Sequence, residues 1–297
     1  MAKQVSSTMT LVGRLLRLMK SLLPWIALAV TFAVTGFIIT VSIPTGLAYL
    51  GLLAIKQQPI PIGLLYLLLS LAILRGLARY GEHYFGHFVA FHSLAAFRNM
   101  IFKKLRALSP AHLDHQDSGH LLKMIGEDIE ALEVFFAHTI APVCTALVSA
   151  GLMFFFFWQM SWKLAILAML TYACLAIFIP IYFAKLLQLL LANQNEGRKA
   201  YLSYFLESLR AVKDLLQFQV LEEQFAQLTE KSKLVNALDR KVAQAQFLQM
   251  ALTFFWLGLT ILSFAYLVFE GIRQEDLSFE SGLLSFVAFT ASFAPFL

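Results

Sequence analysis

The stretch LRGLARYGEHYFGHFVAFH, Leu74 to His92, sets two arginines, a glutamate and three histidines directly after an apolar run. On a helix, Arg75, Arg79, His83 and His87 follow one another at intervals of four and form one stripe. Glu82 lies within reach of Arg79 at i,i+3, the spacing of a helical ion pair. The forked donors of arginine suit carboxylates, and a neutral imidazole is a ligand for metals. His83 and His87 have the spacing of two metal ligands on one face. Zinc needs further ligands, however, and the H-E-x-x-H register of a metalloprotease is absent, so no metal site is expected. His112, His115 and His120 cluster further along and read as solvated polar residues.

The elements that must position this stripe are set by composition. Of 297 residues, 59% are hydrophobic and 14% charged, and the mean hydropathy is +0.72; soluble domains carry about 25% charged residues. The apolar excess is gathered into runs long enough to cross a bilayer, which takes roughly 20 residues. Six such spans are predicted: Pro24 to Ile55, Pro61 to Leu74 and onward, Thr139 to Trp158, Trp162 to Phe183, Phe247 to Phe269, and Phe279 to the end. The fold class expected is therefore all-α, a polytopic membrane protein. The first span is too long for a signal-peptide core and no small-residue cleavage site follows it. Leu297 arrives in mid-run, from which a longer chain is expected. Cys144 and Cys174 fall inside apolar spans and imply no disulfide framework. The aromatic run MFFFFW, Met153 to Trp158, has the composition of an interfacial belt. Charges at membrane depth cost several kcal/mol unless they meet protein or water, so the stripe should line the interior.

The net charge of +5 suggests nucleic acid until the charges are placed along the chain. Lys3, Arg14, Arg17 and Lys20 precede the first span, Arg98 to Lys123 follow the second, and Lys185 to Lys241 follow the fourth, whereas the opposite side holds Lys56, Lys163 and Arg273. By the positive-inside rule the N-terminus and both long connections are cytoplasmic, and no nucleic-acid partner is expected. Residues 1–21 form a basic amphipathic lead-in suited to lie on the inner membrane surface. The long connections, residues 75–138 and 184–246, show helical periodicity and read as two arms, each a helix out and a helix back. At the first tip, LSPAHLDHQDSG, Ser109 has N-cap chemistry before Pro110, and a short helix is predicted from Pro110 to Gln116. With His112, Leu113 and Asp114 it forms a plug for a partner's socket. The second tip, near Glu207, Leu209, Arg210 and Lys213, presents apolar and charged residues for the same purpose.

Six spans, small outer loops and two long inner arms resemble the transmembrane domain of ATP-binding-cassette exporters, over residues 1–297. LSPAHLDHQDSGHLLKMIGEDIEALE is similar to that family's first intracellular loop and YFLESLRAVKDLLQF to its second. RGLARYGEHYFGH, with Arg79, Tyr80, Glu82 and His87, resembles CydC-type subunits of the heterodimeric exporter used in cytochrome bd assembly, as do LSPA and APV further on. The resemblance implies ATP-driven alternating access in a bacterial plasma membrane, with cysteine, glutathione or haem as cargo. It also implies a CydD-like partner half-transporter and ATP with Mg held by a nucleotide-binding domain pressed on the arm tips. Haem b on His87, with Arg79 and Tyr80 nearby, is a further implication. No G-x-x-x-x-G-K-[ST] occurs in the chain, so the motor is expected after Leu297 or on another chain. A multidrug, lipid or peptide exporter, and a haem-binding membrane sensor or assembly factor without transport, are the competing expectations.

Overall fold

The computed structural model describes residues 20–108, 126 and 139–297. The expectations for the lead-in before Lys20 and for Pro110, His112, Leu113, Asp114 and Gln116 lie outside the described residues. Every regular element described is helical, and among the described residues six helices are long and apolar enough to cross a membrane. The chain divides into two compact units, Met1–Ala168 with Leu267–Phe296, and Met169–Tyr266 with Leu297.

The first unit is organised around helix α1, Leu23–Ile55, which follows a 3-10 turn at Lys20–Leu22. Against α1 pack α2 (Ile62–Leu108), α3 (Ala141–Trp158) and α8 (Phe279–Ala291). Lipid tails are as apolar as leucine, so such helices associate by close van der Waals fit, which small residues permit. Gly46 and Gly81 show it: a Cβ at either would stand 2.7 Å from Leu68 or Phe32, respectively. Trp25 meets Phe85 and Phe88 with centroids 5.7 and 4.7 Å apart. Beneath them Leu22, Ile26, Val89 and Phe97 form a buried cluster. In α1 the hydroxyls of Thr31, Thr35, Thr40, Ser42 and Thr45 each donate to the carbonyl four residues back, so none demands water. The MFFFFW run divides between two environments. Phe155 and Trp158 are exposed as a belt requires, but Met153 and Phe157 are buried, Phe157 meeting Phe289 edge-on at 6.1 Å. Helical spacing puts residues four apart on the same face, and that face is core.

The second unit holds one arm; the helices that lead into it and out of it belong to the first unit as far as Ala168 and again from Leu267. Helix α4 (Trp162–Ala173) passes through a π-helical turn, Cys174–Phe178, into α5 (Ile179–Arg210). Pro180 explains the turn, because its ring would strike the carbonyl four residues earlier and it has no N–H to donate. Widening the preceding turn relieves both problems, and the Ile179 N–H donates to the Cys174 carbonyl, five residues back. A six-residue helix α6, Val212–Gln217, follows α5, and α7, Leu221–Arg273, returns.

Three helices end without glycine in a left-handed residue. At Gln57 (φ 55°), Gln219 (φ 57°) and Glu275 (φ 64°) the chain takes a conformation that glycine usually supplies. Each end carries the paired hydrogen bonds of a Schellman motif, such as Gln57 N–H to Ala54 O at 3.1 Å and Gln58 N–H to Leu53 O at 2.9 Å.

Candidate functional site

The stripe named from sequence lies wholly on α2. Ala78, Gly81 and Val89 on one side of that helix are buried. Arg75, Arg79, His83 and His87 are on the other side and exposed. Arg79 Nη1 donates to both carboxylate oxygens of Glu82 at 2.9 Å, joining the two residues that the i,i+3 spacing pairs. The rings along the exposed side stack in sequence: Tyr80 on Tyr84 at 6.0 Å, His83 on His87 at 6.1 Å, and His87 on Phe91 at 6.0 Å. Tyr80 remains 69% exposed. The chain thus presents a surface of cations and aromatic rings that α2 itself does not cover. Among the described residues no three His, Cys, Asp or Glu side chains converge as metal ligands.

Depth follows from the rise of the helix. Counting from Ile62 at 1.5 Å per residue, Arg75 lies about 20 Å along α2, Arg79 about 26 Å, His83 about 32 Å and His87 about 38 Å. Set against a hydrocarbon layer about 30 Å thick entered at Ile62, that count puts the arginines in its far half and the histidines at or beyond its far edge.

The tip of the second arm is the other candidate surface. The chain turns there through α6, flanked by Ala211 and by the left-handed Gln219. Glu207, Leu209, Arg210 and Lys213 are all exposed, as are Val212, Leu216 and Phe218. A six-residue helix with that much uncovered apolar area supplies little stability to its own arm. Behind the tip α5 and α7 run antiparallel and are joined by polar contacts. Gln194 and Arg198 both donate to Asp239, at 2.8 and 3.0 Å; Tyr204 donates to Gln227 at 2.6 Å and Gln224 to Ser208 at 2.7 Å. Lys231 lies 4.8 Å over the Tyr204 ring. Asp239 belongs to the charged part of α7, well before the apolar run from Phe247. The Arg198 and Gln194 hydrogen bonds, together with the Arg198 charge, hold its carboxyl below the usual carboxylate range. Gly197 allows the approach, since a Cβ there would stand 2.8 Å from Leu238.

A family model, the ABC transporter transmembrane region, matches residues 25–294. The chain belongs to this family. Over 297 residues, covering 95% of this chain and 52% of the relative, it is 28% identical to a Haemophilus influenzae protein described as a probable ABC transporter ATP-binding/permease protein. Over 192 residues, 65% of this chain and 33% of the relative, it is 28% identical to the Haemophilus influenzae glutathione/L-cysteine transport system ATP-binding/permease protein CydC. A Bacillus subtilis ABC transporter ATP-binding protein, the uncharacterised YknU, is 25% identical over 112 residues, 37% of this chain and 19% of the relative. The chain thus spans about half the length of the first of these relatives. An ABC transporter membrane region is what six apolar helices with a long helical arm make structurally.

Sequence reasoning missed the contacts between elements distant in the chain. Lys56, at the end of α1, pairs with Glu280, in the first turn of α8. The local signal was there, since Ser278 is an N-cap accepting from Ser281 N–H and favours an acid in the turn that follows. The lysine's position is set only by folding. The Arg198–Asp239 pair was missed for the same reason.

Proposed function

We propose that this chain is the membrane half of an ATP-driven exporter working by alternating access. Its N-terminus and arms lie in the cytoplasm of a bacterium, and its partner is a second, non-identical half-transporter of CydD type. The observation that carries this reading is α6, a short helix with Val212 and Leu216 exposed, next to the exposed Leu209, at the end of an arm that α5 and α7 stiffen. Nucleotide-binding domains, binding ATP and Mg, dock on Glu207, Leu209, Arg210 and Lys213, and on Pro110, His112, Leu113, Asp114 and Gln116 of the first arm. Closure of those domains then moves the arms, and the arms move the spans. The test is transport by the intact complex in inside-out vesicles. Leu209→Asp or Leu113→Asp should leave insertion and basal ATP hydrolysis intact while abolishing ATP-dependent uptake. Undiminished uptake in both variants would refute docking.

The stripe on α2 lines the translocation path, because uncovered arginines in a leaflet require water or protein beside them. Within the family we assign the chain to the CydC-like branch, with cysteine or glutathione as cargo, supported by Arg79, Tyr80, Glu82 and His87 and by the cargo named for the CydC relative. Haem b on His87 belongs to the same reading. The residues fit that group in part: the His87 imidazole makes only ring contacts among the described residues, whereas Arg79 must leave Glu82 to meet a propionate. When bound, haem would supply a redox-active iron, which the His87 imidazole nitrogen would hold with Tyr80 beside it. Haem titration of the intact complex checks it, since a Soret band unchanged by His87→Ala would remove this residue from the site.

A further inference from the structure

Away from the stripe, at the short-loop end of the first unit, a cavity of about 210 Å³ opens between the α3–α4 turn and the α7–α8 turn. Its wall includes the cation of Lys163 and the carboxylates of Glu270 and Asp276, together with Trp162 and Leu277. Opposite charges around one small cavity would ordinarily pair. Here they do not: Lys163 and Asp276 form no ion pair among the described residues, and Glu270 accepts only from its neighbour Gln274, at 3.1 Å. The cavity holds the cation and the carboxylates apart.

The walls are built rather than loose. Asp276 and Leu277 both donate backbone N–H groups to Gly271 O, at 3.0 and 3.1 Å, around the left-handed Glu275. Leu277 is buried against Gly271, where a Cβ would stand 2.6 Å from it. Ser278 then caps α8, and Ser161 N–H donates to Phe157 O at 2.8 Å on the facing turn. A charged ligand therefore meets fixed backbone on both sides, which lowers the ordering cost of binding.

We propose that this cavity binds a small zwitterion, its ammonium between Glu270 and Asp276 and its anionic end on Lys163. The exposed Trp162 indole adds a face for the ammonium. The volume lies below the roughly 300–1,000 Å³ of sites for drug-sized ligands, so the ligand is of small amino-acid size. Two sources share this chemistry at a membrane surface: a free amino acid, or the ammonium and phosphate of a phosphatidylethanolamine headgroup. The site does not rest on the transport reading, and its test needs no ATP.

The test uses the intact transporter in nanodiscs of phosphatidylglycerol alone, titrated calorimetrically with glycine, and with methylamine and acetate as single-charge controls. Glycine should bind saturably and at least tenfold more tightly than either control, and Asp276→Asn or Glu270→Gln should weaken it at least tenfold. Lys163→Glu should lose glycine and gain 1,3-diaminopropane, a gain that a misfolded variant cannot give. In a second arm, discs containing phosphatidylethanolamine are examined by native mass spectrometry. Retention of that lipid by the unsubstituted protein and its loss in Lys163→Glu, with competition against glycine, assigns the headgroup; glycine binding indifferent to the lipid assigns the free amino acid. If neither glycine nor phosphatidylethanolamine is preferred over its controls, or if the three substitutions leave the preference unchanged, the proposal is overturned.

Discussion

Gln57, Gln219 and Glu275 adopt a backbone conformation that costs a non-glycine residue roughly 1 kcal/mol. None contributes a cap that requires its side chain, because the motif's hydrogen bonds run between backbone groups. Replacing Gln219 by Gly should therefore stabilise the arm by up to about 1 kcal/mol, offset in part by the greater freedom of glycine in the unfolded chain. Gln219→Val should do the reverse, since a β-branched residue tolerates this region least. Apparent melting midpoints in detergent, measured side by side, check the order Gly above Gln above Val. These ends were not legible in the sequence because its usual sign, a glycine after the last helical turn, is missing from all three. Arg79 and Glu82 were legible, since an i,i+3 pair is fixed by the helix alone. Exposed at 63% and 33% of their side chains, they contribute well under 1 kcal/mol to stability in a wet setting. Glu82→Gln should accordingly leave the melting midpoint nearly unchanged, and its effects should appear in cargo or ligand binding.

At the scale of elements, the second arm stays one stiff hairpin only while α5 and α7 stay in register. Asp239 holds them by accepting from both Gln194 and Arg198. Asp239→Ala strands two donors and should speed amide hydrogen exchange in residues 190–205 and 225–242, while residues 23–55 keep their protection; uniform speeding throughout would mean global destabilisation instead. Asp239→Asn keeps one acceptor oxygen and should lie between. The carboxylate works in its charged form and its proton affinity is lowered in the folded arm. Its contribution is therefore complete above the ordinary aspartate range and fades as pH falls through the lowered value. Periodicity made these long helices legible, because three- and four-residue spacing of Leu202, Phe205, Leu209 and Val212 survives whatever they pack against. The partner register of α5 on α7 was not legible. It depends on where Gly197 lets Leu238 approach, and one glycine in a helical pattern signals no particular neighbour.

For the whole molecule, exposed apolar area is the governing quantity. Phe247, Phe254, Phe255, Leu262, Tyr266 and Phe269 are each more than 60% exposed along α7. Lipid or a second half-transporter must cover them, and buried apolar surface is worth about 25 cal/mol per Å². Residues 1–297 expressed alone should therefore aggregate once lipid is stripped and should not transport. Monodisperse monomers that carry cargo in vesicles would contradict this. The arrangement across the membrane is decided by charge. The short turns carry Lys56, Lys163 and Arg273, whereas all the other lysines and arginines, Arg75 and Arg79 within the second span apart, fall in the N-terminal region and the two long connections. Each cation near the wrong side opposes the insertion bias, so the short turns should lie outside the cytoplasm. Gln57 and Gln274 are exposed on those turns, and Lys213 is exposed at the arm tip. In a background with Cys144→Ser and Cys174→Ser, Gln57→Cys and Gln274→Cys should react with a membrane-impermeant maleimide in intact cells. Lys213→Cys should react only after the membrane is opened. The opposite pattern would invert the topology and place the proposed docking surface where no ATP is available.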